Sequence, residues 1–275
     1  MSRMPINLNK NGLSSITQLY DLFFIDIWGV VHNGIELYKN SIEVLDFLDD
    51  MNKEYVLLTN APRPNLTVKN FLKKMGLDEK KCEKVYTSGE ASLVYLKDNF
   101  NSNKFFHIGP PRDFDLFNSF KKNKVSKIED AHFILCTGLF EDYENDLDYY
   151  KDILFKNSDK KMICTNPDLI VDKGNKREFC AGTIAKIFEE YEGKVEYFGK
   201  PYPNVYNQSA NIQNKKIICI GDNLNTDIKG ANLQNFSSLL ILNGIHKNEI
   251  KKNNLSNVLK KYNSTTTYVQ NDLKW

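Results

Sequence analysis

The stretch LFFIDI, residues 22–27, is an apolar run interrupted only by Asp26. A run this short and continuous has no polar face, which marks a strand buried on both sides, as in a parallel sheet covered by helices. Outward from it, Tyr55–Thr59, Lys216–Ile220 and Ser238–Leu242 read as three more strands of the same kind. Asn33-Gly34, between alternating apolar residues in VVHNGIEL, predicts a two-residue hairpin turn. Asn40 and Glu43 have capping-box spacing ahead of a face made by Ile42, Leu45, Leu48 and Met51. Val68, Phe71, Leu72 and Met75 predict a helix that ends near Gly76, and another helix is expected from Asp227. Strands that alternate with helices imply an α/β fold with a doubly wound, Rossmann-like parallel sheet.

Between the two halves lie strand-like runs at Lys104–Ile108, His132–Cys136 and Lys161–Cys164, with Ile184, Ile187, Phe188 and Tyr191 at helical spacing. The expected organisation is a core of residues 1–87 and 197–275 with an inserted α/β domain over 88–196.

Composition narrows the function classes. The 275 residues are 41% hydrophobic and 26% charged, an ordinary balance for a packed soluble chain. Net charge is +2 and the basic residues are scattered, which argues against nucleic acid or a membrane surface as partner. The lysines between Lys247 and Lys261 read as a solvated helical face. Five cysteines form no Cys-x-x-Cys pair, so reduced buried thiols are expected. No apolar run approaches bilayer length and the first twenty residues lack a signal core, so the expectation is a cytoplasmic protein.

Three of the four strands end in polar residues: Asp26, then Thr59-Asn60, then Gly221-Asp222. Ligands of open α/β sheets bind beyond the carboxyl ends of the strands, so these side chains are expected in one crevice. Singly, each also reads as ordinary turn or cap chemistry. Asp26, Asp222 and Asp227 together would bring three negative charges into one place. At about 4 Å and an effective dielectric near 20, each pair repels by roughly 4 kcal/mol. A cation is therefore required for all three to stay ionised. One Mg²⁺ and the ammonium of Lys200 balance them, and an all-oxygen set favours Mg²⁺ over zinc.

Asp26-Ile-Trp-Gly-Val, Thr59-Asn60, Gly199-Lys200-Pro201 and Gly221-Asp-Asn-Leu-Asn-Thr-Asp227 resemble the four ordered motifs of the haloacid dehalogenase superfamily. The last, GDNLNTDIKGA, is similar to subfamily IIA, the branch of NagD-like and p-nitrophenyl phosphatase-like enzymes, which carries an α/β cap between the second and third motifs. The resemblance implies a phosphatase acting on a small-molecule phosphate ester, acyl phosphate or aryl phosphate. It gives Asp26 the role of nucleophile and metal ligand, and Thr59, the Asn60 backbone and Lys200 that of phosphate binders. Asp222 and the Trp28 carbonyl are then metal ligands, and Asp227 supports the metal through water or holds Lys200. A homodimer through the cap also follows from it. TNPD (residues 165–168) and CAGT (residues 180–183) resemble cap loops of that branch and read equally well as a turn and a helix start.

The usual first motif is Asp-x-Asp, whose second carboxyl protonates the leaving group; here that position is Trp28. General acid catalysis contributes ~10²–10⁴ in rate, so slow turnover of alkyl phosphates and a preference for good leaving groups are expected. The alternative is a degenerate member that binds a phosphometabolite or partner without turnover. His32 is a candidate substitute acid, against the commoner reading of a packing histidine. His107, His132 and His246 read as structural, and Arg63 as a binder of anionic substrate or, the preferred reading, a solvated loop residue. A nicotinamide-binding reading fails, since no Gly-x-Gly-x-x-Gly follows the first strand.

Overall fold

The computed structural model describes residues 4–100, 102–173 and 176–275; the outermost residues of the expected core, 1–3, lie outside the described ones, as do 101, 174 and 175 of the expected insertion. Among the described residues thirteen strands occur in chain order: β1 Ile6–Asn7, β2 Leu22–Ile25, β3 Glu54–Thr59, β4 Val85–Thr87, β5 Phe105–Ile108, β6 Phe133–Cys136, β7 Lys161–Cys164, β8 Ile170–Lys173, β9 Lys176–Phe179, β10 Lys194–Tyr197, β11 Ile217–Gly221, β12 Ser237–Ile241 and β13 Tyr268–Gln270.

Two compact units form. One comprises residues up to Thr59, Lys69–Tyr86 and Tyr206–Trp275; the other comprises Asn60–Val68 and Thr87–Val205. The first is built on a seven-stranded sheet of order β1-β13-β12-β11-β2-β3-β4. The pairs β2–β3, β2–β11 and β11–β12 are parallel, as the continuous apolar runs require. Every residue of β2 and β11 is buried, so both faces of these central strands are covered. In the second unit β10-β7-β6-β5 form a parallel sheet and β8 and β9 an antiparallel pair. Its helix Ala181–Glu190 buries Ile184, Ala185, Ile187 and Phe188, the face the spacing predicts.

Several local expectations fail for physical reasons. Asn33-Gly34 does not close a two-residue hairpin. Only Gly34 has positive φ, at +90°, whereas a type I′ turn needs it at both central residues. The Asn33 carboxamide oxygen instead accepts the amides of Ile35 and Glu36, both at 2.9 Å, and a single antiparallel bridge joins His32 to Leu37. Asn40 caps nothing: helix Lys39–Asp50 begins after Tyr38, without a side-chain cap, and buries Ser41, Val44, Leu45 and Leu48. The helix expected from Asp227 begins earlier, as one wide turn over Leu224–Ile228 that runs into Lys229–Leu233. The lysine-rich segment forms two helices, Lys247–Asn253 and Leu255–Lys261, separated at Asn254 with φ +54°. All five cysteines are buried and none is in a disulfide. No helix among the described residues is long and apolar enough to cross a membrane.

Candidate active site

Topology brings the first unit's polar strand ends together. Ile25 pairs in register with Ile220 on β11 and with Leu57 on β3. The residues just beyond those partners are Asp26, Asp222 and Thr59, so three neighbouring parallel strands deliver them at the same sheet edge. Asp26 continues the ladder, its amide donating to the Ile220 carbonyl at 2.8 Å. The wide turn at Leu224–Ile228 adds Asp227, whose carboxylate accepts the Asn223 amide at 3.1 Å. Asp26, Asp222 and Asp227 are 8%, 7% and 3% exposed, and one carboxylate oxygen from each lies within 4.8 Å of the others.

Glycine makes this packing feasible. A Cβ on Gly29, where φ is +84°, would lie 2.4 Å from Asp222 Oδ2, and one on Gly244 would lie 2.1 Å from the same atom. A Cβ on Gly221 would sit 2.0 Å from Asp227 Cγ. The carboxylates thus rest against bare backbone, and the Ile245 amide donates to Asp222 Oδ2 at 2.9 Å. Nearby phenols register the negative field. Burial first, and then the charge of Asp222, raises the pKa of Tyr38. Burial, with Cys219, Asp227 and Asp26 behind it, holds Tyr206 well above its ordinary value.

Fitness for a divalent cation follows from the donor set. Three buried carboxylates within reach of one point, with no imidazole or thiolate among them, suit a hard ion that takes oxygen ligands. Thr59 ends β3 and is buried.

Asn60 and Lys200 belong to the second unit, where they hold each other. The Lys200 amide donates to Asn60 Oδ1 at 2.7 Å, and Asn60 Nδ2 donates to the Lys200 carbonyl at 2.9 Å and to Asp168 Oδ1 at 3.3 Å. Gly199 lets the chain approach, since a Cβ there would be 2.5 Å from Asn60 Oδ1. In the same unit the TNPD and CAGT loops lock together: the Gly182 amide donates to the Asp168 carbonyl at 3.1 Å, and the Thr183 hydroxyl to the Leu169 carbonyl at 2.6 Å.

Trp28 lies half-buried with its indole over Gly34, where a Cβ would meet Cη2 at 2.7 Å. Its ring meets His32 edge-on at 5.0 Å, and His32 meets Phe71 edge-on at 5.7 Å. His32 is 2% exposed and its Nδ1 accepts the Gly34 amide at 2.8 Å. Burial lowers its pKa to about 4, so at neutral pH the ring is uncharged and the imidazolium that would serve as the acid is scarce. Arg63 lies in a bend with its side chain about a third exposed, and it donates to Asp115 at 3.0 Å and to the Arg112 carbonyl at 3.1 Å.

The buried histidines predict acid lability. Burial also lowers His107, to about 3, against an ordinary value of 6.5 for both. The unfolded chain then binds the extra protons, so stability held above pH 6.5 is lost as pH falls towards the folded values. Between pH 7 and 5 this costs about 2 kcal/mol per histidine. Asp113, raised by burial to about 6, has the opposite sign and returns about 1 kcal/mol over the same interval. Denaturant midpoints should therefore fall from pH 7 to 5, and His32→Gln should flatten the slope. A slope as steep in the variant would count against the assignment.

Gly244, Ile245 and His246 were not legible as site residues in the sequence. Two of them act through backbone, which carries no side-chain signature, and His246 looked like any packing histidine.

Comparison with known proteins agrees with this geometry. Residues 23–121 match the family model described as haloacid dehalogenase-like hydrolase, and residues 197–275 a second described as HAD-hydrolase-like. The chain is 25% identical over 225 residues to the ribonucleotide monophosphatase NagD of Escherichia coli, covering 80% of this chain and 86% of that protein. It is 24% identical over 263 residues to a 4-nitrophenylphosphatase of Schizosaccharomyces pombe, covering 84% and 86%. Among solved structures, a haloacid dehalogenase-like hydrolase from Brucella suis superposes with a TM-score of 0.77 at 27% identity, covering 88% of this chain and 91% of that one.

Proposed function

The chain belongs to the haloacid dehalogenase superfamily, in the branch of NagD and the p-nitrophenyl phosphatases, and from that membership we propose a Mg²⁺-dependent phosphatase that acts on a small phosphorylated metabolite through Asp26. Phosphatase chemistry is common to its named relatives, whose substrates differ, so substrate identity is not inherited from them. The observation that carries the metal-dependent reading is the gathering of three buried carboxylates at adjacent parallel strand ends.

In this reading one Asp26 oxygen attacks phosphorus and forms an aspartyl phosphate as the bond to the leaving oxygen breaks. Water then attacks the same phosphorus, releasing phosphate and restoring the carboxylate. A bound Mg²⁺ supplies positive charge that offsets the carboxylates and the transferring group. Asp26, Asp222 and the Trp28 carbonyl would hold it, with Asp227 in support. Thr59 and the Asn60 backbone take the phosphoryl oxygens, and Lys200 contributes the ammonium. Residues 88–196 are read as the inserted cap, and a cap-mediated homodimer and a cytoplasmic location remain part of the proposal.

Position 28 offers no proton, so leaving groups of low pKa, such as aryl or acyl phosphates, are favoured. Trp28 also motivates the alternative of binding without turnover; the complete acidic cluster weighs against it. Purified protein should hydrolyse p-nitrophenyl phosphate with Mg²⁺ and lose at least ~10²-fold in rate when a chelator removes the metal, as expected when charge in transit goes unneutralised. Equal rates with and without divalent cation would overturn the reading.

A further inference from the structure

The segment after β12, Gly244-Ile245-His246, supports the acidic cluster from two sides. We propose that it is a brace that fixes the spacing of Asp222 and Asp227 and so sets the site's preference for a small divalent cation. The inference rests on reading that cluster as a cation site.

On one side, the Ile245 amide holds Asp222 Oδ2 at 2.9 Å, and Gly244 leaves the room a side chain would fill. On the other, the buried imidazole of His246 accepts the Leu224 amide on Nε2 at 3.2 Å. Leu224 opens the turn that carries Asp227, so one tripeptide grips the supports of both carboxylates. Acceptance at Nε2 leaves the ring proton on Nδ1, which faces Glu249 Oε2 at 3.4 Å. Glu249 is held in turn by the Tyr262 hydroxyl at 3.0 Å and by Lys261 at 2.5 Å, and Tyr262 packs edge-on against the imidazole. The ring is thus oriented from behind, as outer groups orient metal-site residues elsewhere.

A small ion needs this rigidity. Mg²⁺ requires a nearly regular octahedron with short bonds, whereas Ca²⁺ tolerates longer bonds and more ligands. A fixed pair of carboxylates favours the first, and slack between them admits the second. Breaking the brace should therefore weaken Mg²⁺ more than Ca²⁺.

The test is calorimetric titration of the chelator-stripped full chain with MgCl₂ or CaCl₂, alongside amide hydrogen exchange at Leu224. His246→Ala should reduce the Mg²⁺-over-Ca²⁺ affinity ratio about tenfold, the scale of outer-group substitutions at metal sites, and speed exchange at Leu224. His246→Gln, whose carbonyl oxygen can accept the same amide, should restore both. Should His246→Ala fail to fold, Glu249→Ala, at a partly exposed position, should lower the ratio by a smaller factor. An unchanged ratio in these variants, with the cations still bound, overturns the brace and leaves the cation reading standing. A wild-type chain that binds neither cation overturns both.

Discussion

Asp26→Asn should lower kcat on p-nitrophenyl phosphate by at least ~10⁴ while leaving the fold intact, the scale of loss seen when a covalent nucleophile is removed. The amide is close to the carboxylate in shape but is a far weaker nucleophile, so the covalent step fails. The backbone role of the residue survives, since its amide still reaches the Ile220 carbonyl. Removing one of three clustered negative charges relieves repulsion in the metal-free protein. The thermal midpoint without metal should thus stay level or rise, even as activity vanishes and Mg²⁺ binds more weakly. This opposed pair of changes distinguishes a lost nucleophile from a damaged fold. Activity within tenfold of wild type would assign the chemistry to another residue.

The parts of the fold legible in sequence are those where one signal suffices. LFFIDI and IICIG announce themselves because strands buried on both faces must be apolar throughout. Three strands of the second unit were readable for the same reason. β1 and β13 were not: they are two and three residues long and pair across almost the whole chain, Ile6 with Tyr268. So short a stretch holds no periodicity, and its pairing partner cannot be read locally. Asn33-Gly34 misled because asparagine has two turn chemistries, left-handed backbone or side-chain acceptance, and the second won here. Asp26 and Asp222 stood out because a carboxylate after a buried strand is conspicuous, and Asp227 because it closes the motif Gly221-Asp-Asn-Leu-Asn-Thr-Asp227. The glycines and amides that seat those carboxylates are visible only in three dimensions.

Trp28→Asp should shift preference towards alkyl phosphates by about 10² or more in relative kcat/KM, because it restores a proton donor where the motif places one. An aryl leaving group departs without that proton, so its rate should change little. The substitution has a structural cost. The indole fills space over Gly34 and packs against His32, and its removal leaves an opening beside a buried imidazole. For a fully buried Trp, truncation costs about 3–5 kcal/mol; this half-exposed ring should cost less, about 2 kcal/mol. Trp28→Asn separates the two effects, since it opens the same space without supplying an acid. The new carboxyl would lie two residues from Asp26, whose charge would raise its pKa and keep it protonated to higher pH. Its benefit should accordingly fade as pH rises through that value, while the Asn variant shows no such decline. If the two variants share one ratio of sugar-phosphate to p-nitrophenyl phosphate turnover, the tryptophan limits the enzyme by shape and not by the missing proton.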